Sequence, residues 1–153
     1  MTAKIKRAVS LLLAAAALAA VACLFSSCLR DPLKGKNGID VDLTQLSSGL
    51  VYSTVSDIMQ NPDDYVGKKF RMRGLFTMFS TEKRNYYSCI VQDATACCAS
   101  GIEFTTAEEL TYPDDYPEIG DEITVIGIFD KYDDEGFTCY HLRDAEMKIG
   151  KDY

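Results

Sequence analysis

A four-residue turn motif occurs twice in this chain, and each copy leads into a strand pattern that contains two glycines. Pro62-Asp63-Asp64-Tyr65 precedes the segment 67–76, and Pro113-Asp114-Asp115-Tyr116 precedes the segment 120–129, with two more residues in the second spacer. Apolar residues alternate in both segments, whose second glycines are residues 74 and 127. Because glycine inside a strand marks a bulge or a bend at a barrel corner, we predict two strongly bent strands with the same structural role.

Three further strands follow from composition, at 86–92, 99–104 and 136–147. The link 93–96 and the acidic turn 130–136 are expected to connect neighbouring strands as hairpins. Thr54 is a candidate N-cap for a short helix over 55–60, and the capping-box spacing of 106–110 predicts a second short helix. This mainly β order predicts a five-stranded Greek-key barrel of the oligonucleotide/oligosaccharide-binding (OB) type. It has a short N-terminal helix and a short helix between the third and fourth strands.

The first 28 residues have the pattern of an export signal. Three basic residues within 4–7 precede an apolar run, 8–25, which ends at Ser26-Ser27-Cys28. A cysteine at the cleavage point offers the thiol that bacterial lipoprotein processing acylates, and the sequence turns polar directly after it. We therefore predict lipid attachment at Cys28, with Cys23 as the alternative and an uncleaved or purely secreted chain as the third. Each of these places residues 29 onward on the extracytoplasmic side of the cell membrane.

Without the signal peptide, 1–28, the size and charge of the mature chain can be read from the sequence. About 125 residues suffice for one domain with its own core, which we expect at 52–150 as an OB-like domain behind a polar tether at 29–51. A brief alternation at Ile39, Val41 and Leu43 allows one short added strand in that tether. The remaining chain carries 13 basic and 23 acidic residues, a net charge of −10. Because such a surface repels phosphate backbones, no nucleic-acid partner is expected.

Several motifs resemble those of known families. The matching segments cover much of 52–148, and they are Asn61 to Lys69, Tyr86 to Cys89, Asp93 to Phe104 and Tyr112 to Pro117. They resemble small, uncharacterised OB-fold lipoproteins of Gram-positive bacteria, and there is a looser similarity to the exported OB-like domain of a permease-partner family. In that second family a Cys-Cys pair precedes an Asp-Ala dipeptide, whereas Asp93-Ala94 comes first here. Neither resemblance implies an established activity.

Four cysteines remain after the leader, and three interpretations of them stay open. A structural disulfide would join Cys97 or Cys98 to Cys139. A metal or thiol-redox site would use these three cysteines with His141, and zinc is the candidate ion. Free thiols are the third interpretation, with Cys89 and Cys98 as small core residues. Strand alternation predicts Cys98 on the core face, and Cys97, Cys139 and His141 on the outer face.

No nucleophile elbow, zinc-protease helix, phosphate loop or dinucleotide fingerprint occurs in the sequence. We therefore expect no catalytic activity and no cofactor other than the candidate zinc. Five aromatic residues lie on or beside the barrel face with which OB proteins bind ligands, namely Tyr86, Tyr87, Phe76, Phe79 and Tyr132. The expected function is a non-catalytic, membrane-anchored binding module for a protein, peptide or glycan partner. The alternative is the cysteine-based metal or redox protein.

Overall fold

The computed structural model describes residues 31–150, and the chain divides into two units after Pro32. Of the first unit, only Asp31 and Pro32 are described, and both are exposed. The second unit, from Leu33 onward, contains the sheet. Cys23 and Cys28, the two candidates for lipid attachment, lie outside the described residues. Within 31–150, the helices are too short or too polar to cross a membrane.

The described part of the chain is mainly β, as predicted. Six strands and one α-helix follow in the order β1 (Val41–Asp42), α1 (Ser48–Gln60), β2 (Lys69–Ser80), β3 (Asn85–Gln92), β4 (Ala99–Thr106), β5 (Glu122–Asp134) and β6 (Phe137–Ile149). Short 3-10 helices at Leu43–Gln45 and Pro62–Tyr65 lie on either side of α1. The strands form one sheet with the order β1-β2-β3-β4-β6-β5, and β2 also pairs with β5.

β2 has a different neighbour along each of its halves. Its first half, from Lys69 to Leu75, pairs antiparallel with β5, and its second half, from Leu75 to Ser80, pairs antiparallel with β3. The exchange of partners occurs beside Gly74, where a Cβ atom would lie 2.2 Å from the carbonyl oxygen of Ile90. This close approach of two backbones explains why glycine occupies the position.

The two strands with the repeated glycine pattern pair with each other about a local twofold. Phe70 pairs with Gly127, Met72 with Val125, and Gly74 with Ile123. Phe70 and Ile123 are equivalent positions of the two copies, as are Gly74 and Gly127, so the two outer pairs are related by the twofold. The flanking hydrogen bonds follow the same symmetry. Gly67 N–H donates to Phe129 O at 2.7 Å, and Gly120 N–H donates to Phe76 O at 2.9 Å. The predicted equivalence of structural role is confirmed.

A register shift marks the second glycine. Between Ile126 and Ile128 the pairing of β5 with β6 slips by one residue, and the extra residue lies on β6, where Asp144 has a φ of 50°. A Cβ atom on Gly127 would lie 2.9 Å from Leu142 Cβ. The predicted bulge at Gly127 is therefore present, with its additional residue on the neighbouring strand.

The segment predicted as a tether contributes to the core. Ile39, Val41 and Leu43 are fully buried, and β1 pairs in parallel with β2, which confirms the short added strand. The buried carboxylate of Asp42 ends this strand, because it accepts hydrogen bonds from Thr44 N–H (3.2 Å), Gln45 Nε2 (2.9 Å) and Arg71 Nη1 (3.3 Å). The packed chain therefore starts well before residue 52, since three alternating apolar side chains suffice to bind it to the sheet.

The helix before β2 is longer than predicted. It begins at Ser48 rather than Val55, and Val51 N–H already donates to Ser47 O at 2.9 Å. Val51, Val55 and Ile58 have the spacing of one helical face, and all three pack on the core.

The predicted helix over 106–110 is wrong. β4 continues to Thr106, and Ala107 N–H still donates to Ala145 O on β6 at 3.1 Å. The Thr106 hydroxyl donates to Glu108 O at 2.9 Å and therefore does not cap a helix. Continued pairing with β6 thus prevails over the capping-box pattern.

The acidic hairpin after β5 has a much shorter turn than 130–136. The strands pair as far as Asp134 opposite Phe137, so only Glu135 and Gly136 form the turn, with φ values of 55° and 89°. Two central residues with positive φ match the right-handed twist of the flanking strands. The acidic side chains before the turn therefore belong to a paired strand.

Substitution of Gly74 tests the exchange of partners in β2. Gly74→Ala places a methyl group against Ile90 O, and we expect a loss of about 1–3 kcal/mol in the free energy of unfolding. Gly49→Ala is the matched control, because nothing lies within 4 Å of a Cβ there. Urea unfolding followed by circular dichroism measures both variants. Equal stability of the two would contradict the close approach.

Candidate binding site

The five aromatic residues predicted for a ligand face lie on two sides of the sheet. Phe76 is fully buried, and Tyr87 stacks on it with ring centroids 6.1 Å apart. Phe79 is three residues beyond Phe76 on β2, and Tyr86 is adjacent to Tyr87 on β3, so both point to the outer side. Tyr132 lies on the outer side with them. Phe76 and Tyr87 are therefore packing residues, and the other three remain available to a ligand.

Arg84 is the centre of the outer side. We define the Arg84 cluster as Arg84 with Tyr86, Glu103, Tyr132 and Asp134. The guanidinium carbon lies 4.1 Å from the ring centroid of Tyr86 and 4.9 Å from that of Tyr132. Nη2 donates to Tyr132 Oη at 2.6 Å and to Asp134 Oδ2 at 3.1 Å, and it lies 3.9 Å from Glu103 Oε1. Cation–π contacts and ion pairs thus hold one guanidinium between two rings.

Two tyrosine hydroxyls complete the network. Tyr86 Oη donates to Asp134 Oδ2 at 2.7 Å, and Tyr132 Oη donates to Glu103 Oε2 at 2.7 Å. Arg84 belongs to the turn between β2 and β3, whereas Asp134 ends β5 and Glu103 lies on β4. The cluster therefore joins two hairpin ends to the middle of the sheet, and its side chains are positioned before any partner arrives.

Burial sets the protonation of the groups around Arg84. It raises the pKa of Glu103, although the hydrogen bond from Tyr132 and the charge of Arg84 oppose this effect. Burial and the bond to Glu103 raise the pKa of Tyr132, which stays a neutral donor. Burial lowers the pKa of His141, whose ring lies 4.8 Å from that of Tyr132. With two carboxylates and one guanidinium, the cluster favours neutral or cationic groups of a partner.

Two exposed phenylalanines flank the cluster. Phe79 is 67% exposed and lies beside Tyr86, with ring centroids 6.2 Å apart. Phe137 is 74% exposed and pairs directly with Asp134, so its side chain shares a face with the cluster. We call the Arg84 cluster together with Phe79 and Phe137 the Arg84 face. Exposed aromatic rings beside fixed charges are typical of an interaction surface.

Three members of the Arg84 cluster were not among the sequence candidates, and neither was Phe137. Glu103 interrupts the alternation between Ile102 and Phe104, and this position on a predicted strand is the signal that identifies it as outward. Arg84 and Asp134 lie in or beside turns, where charged residues are ordinary. Their meeting depends on the distance between two turns, which no local pattern in the sequence carries.

The four described cysteines are free thiols. Cys89 is fully buried, and burial raises its pKa to about 12, so it is a core residue as the third interpretation expects. Cys139 is partly exposed and lies opposite Tyr132. His141 Nδ1 is 3.0 Å from the hydroxyl of Thr105.

The structure does not bring Cys97 or Cys98 to Cys139. The pairing of β4 with β6 begins at Glu103 opposite His141, and Cys97 and Cys139 lie six and two residues before those positions. Cys97 and Cys98 belong to the turn before β4, Cys139 belongs to β6, and all three are free thiols. The prediction that Cys98 lies on the core face is also wrong. Cys98 is exposed, because β4 begins only at residue 99.

A cavity of about 560 Å³ lies at the far end of β6 from the Arg84 face. Its lining includes Glu108 and Leu110 from the β4–β5 connection and Met147 from β6. The volume is typical of small-molecule sites. However, no aromatic side chain is among the described residues that line it. The Arg84 face therefore remains the stronger candidate for recognition.

Substitution of Arg84 tests the electrostatics of the cluster. The pKa of Glu103 is raised in the folded protein, so stability falls as pH rises through the interval between its unfolded and folded pKa values. Without Arg84 the pKa of Glu103 rises further. The resulting loss in the free energy of unfolding is complete only at pH values above that pKa. Arg84→Gln should therefore lower the free energy of unfolding by about 1–2 kcal/mol at pH 7 and by less at pH 4.

Lys83→Gln is the control for this experiment. The pair of Lys83 with Glu135 is exposed on both sides, and such pairs contribute less than about 1 kcal/mol. Urea titrations at the two pH values provide the comparison. A cost for Arg84→Gln that is the same at pH 4 and pH 7 would show that Glu103 is not the titrating partner.

Comparisons with known proteins complete the description of the site. No family model matches the chain, and no curated protein matches it. The resemblance to small lipoproteins accordingly stays an expectation drawn from the motifs in the sequence.

Proposed function

We propose that the chain is a lipid-anchored protein on the extracytoplasmic face of the cell membrane, and that it binds a protein, peptide or glycan partner without catalysis. The observation that carries the binding role is the Arg84 face. An arginine fixed between two tyrosine rings, with exposed Phe79 and Phe137 beside it, combines the residue types that dominate binding hot spots.

The strand pairings support an OB-like barrel as the framework of this role. Each of the five long strands pairs with two others, in the cycle β2–β3–β4–β6–β5 and back to β2. In OB proteins the loops after the first and fourth barrel strands border the ligand face. The corresponding turns here are the β2–β3 turn with Arg84 and the β5–β6 turn after Asp134. The proposed ligand face and the Arg84 face therefore coincide.

The charge of the chain bears on the kind of partner. A net charge of −10 over 29–153 opposes binding to nucleic acid, and the Arg84 cluster itself has more carboxylates than cations. Aromatic rings can stack on sugar rings or pack against apolar side chains of a protein. A protein, peptide or glycan with neutral or basic contact groups suits this surface.

The anchor is tested by metabolic labelling with a clickable fatty acid in a Gram-positive host. The full chain with its leader should incorporate the label, Cys28→Ala should lose it, and Cys23→Ala should retain it, because only a free thiol at the cleavage point is acylated. Loss in Cys23→Ala alone would move the anchor to Cys23. Labelling that survives in both variants, or that never occurs, would refute lipid attachment.

The binding face is tested by photo-crosslinking in the same host. A photoreactive phenylalanine analogue in place of Phe137 or Phe79 should form an adduct, whereas the analogue at Leu50, which is 57% exposed on α1, should not. Arg84→Gln should reduce the adduct, because the cluster positions the flanking rings. Digestion of the adduct with protease or with glycan hydrolases identifies its class. Equal adducts at Leu50 and Phe137 would refute the Arg84 face.

A further inference from the structure

The exposed cysteine pair meets a carboxylate at the turn between β3 and β4. Asp93, Cys97 and Cys98 each offer one ligand atom, and these three atoms lie within 4.8 Å of one another. Cys97 Sγ is 3.6 Å from Cys98 Sγ and 3.2 Å from Asp93 Oδ2. This turn is at the opposite end of β3 from Arg84, so it is separate from the Arg84 face.

The spacing of these atoms matches the coordination sphere of zinc. Two thiolates bound to a tetrahedral Zn²⁺ at about 2.3 Å lie about 3.8 Å apart, and a thiolate and a carboxylate oxygen lie about 3.5 Å apart. The observed separations of 3.6 Å and 3.2 Å differ from these values by a few tenths of an ångström. The third separation, between Cys98 Sγ and the carboxylate oxygen of Asp93, is within 4.8 Å, so side-chain rotations can bring all three atoms to one ion.

The carboxylate of Asp93 is oriented by the backbone of its own turn. Its Oδ1 accepts hydrogen bonds from Thr95 N–H at 3.2 Å and from Cys97 N–H at 3.0 Å. Oδ2 faces the sulfur of Cys97 and also accepts a hydrogen bond from the Thr95 hydroxyl at 3.1 Å. Hydrogen bonds that fix a ligand from outside its metal contact are characteristic of metal sites.

We propose that Asp93, Cys97 and Cys98 form a binding site for one Zn²⁺ ion. The two thiols each lose a proton to solvent, and the two thiolates and the carboxylate become three ligands of the ion. The fourth tetrahedral position is left to water or to a group from outside the chain. Thiolate sulfur selects zinc-type cations over Mg²⁺ or Ca²⁺, which prefer oxygen ligands.

This site differs from the cluster considered in the sequence, because Cys139 and His141 lie elsewhere. It also does not depend on the proposed binding role. Loss of metal binding would leave the Arg84 face unchanged, and loss of crosslinking at Phe137 would leave the metal site unchanged.

The test is a titration of the reduced full chain, purified in mild detergent, with Cd²⁺ as a spectroscopic probe. One equivalent should produce thiolate-to-cadmium charge-transfer absorbance, and added Zn²⁺ should displace it. Cys97→Ser and Cys98→Ser should each reduce affinity at least tenfold, whereas Cys139→Ser, the matched control thiol, should bind as the original chain does. Asp93→Asn keeps an acceptor for the backbone hydrogen bonds of the turn but removes the anionic ligand, and should lower affinity by roughly tenfold or more.

A second measurement uses the reactivity of the thiols. One equivalent of Zn²⁺ should slow alkylation of Cys97 and Cys98 by iodoacetamide, mapped by peptide mass spectrometry, and leave Cys139 unaffected. Circular dichroism checks that each variant is folded. Absence of the charge-transfer band, an unchanged Cd²⁺ affinity in Cys97→Ser, or loss of the band in Cys139→Ser would each overturn the proposal.

Discussion

The close contact between the backbones of β2 and β3 at Gly74 is the constraint on which the rest of this structure depends. Because no side chain separates Gly74 from Ile90 O, β2 can bend from one neighbour to another within a single strand. β2 pairs with β5 along one half and with β3 along the other. The first and last strands of the order β2-β3-β4-β6-β5 are therefore hydrogen-bonded to each other. With a straight β2 the pairing of β2 with β5 would be lost, and β5 would be an exposed edge of an open sheet.

The Arg84 cluster follows from that connection. Arg84 follows the second half of β2, and Asp134 ends β5, the partner of the first half. The bend in β2 brings the two turns close enough for a guanidinium to reach across 50 residues of sequence. The hydrogen bonds of the cluster then fix the positions of Tyr86 and Tyr132, while the neighbouring phenylalanines stay exposed. A rigid polar centre with apolar flanks lowers the entropy lost on binding.

Local patterns predicted the long strands and the role of Gly74 and Gly127, because alternating apolar residues and glycines influence the backbone within a few residues. One of the three open interpretations of the cysteines placed Cys89 in the core, where the structure has it. Local patterns failed where two of them competed, as at Thr106, whose capping-box spacing gave way to pairing with β6. They failed as well for Cys98, since alternation applies only inside a strand. The contact of Arg84 with Asp134 joins two turns that lie 50 residues apart in sequence, and composition and spacing do not encode their distance.

The local twofold of β2 and β5 also governs the order of folding. The two copies of the repeated pattern lie about 50 residues apart in sequence, so their pairing has a high contact order and forms slowly. β2 precedes β5 in the chain, and its first half has no antiparallel neighbour until β5 is available. The hairpin of β2 with β3 can form locally in the meantime. The first half of β2 therefore pairs only when the last third of the chain is present. The core that β1 and α1 cover is then completed last.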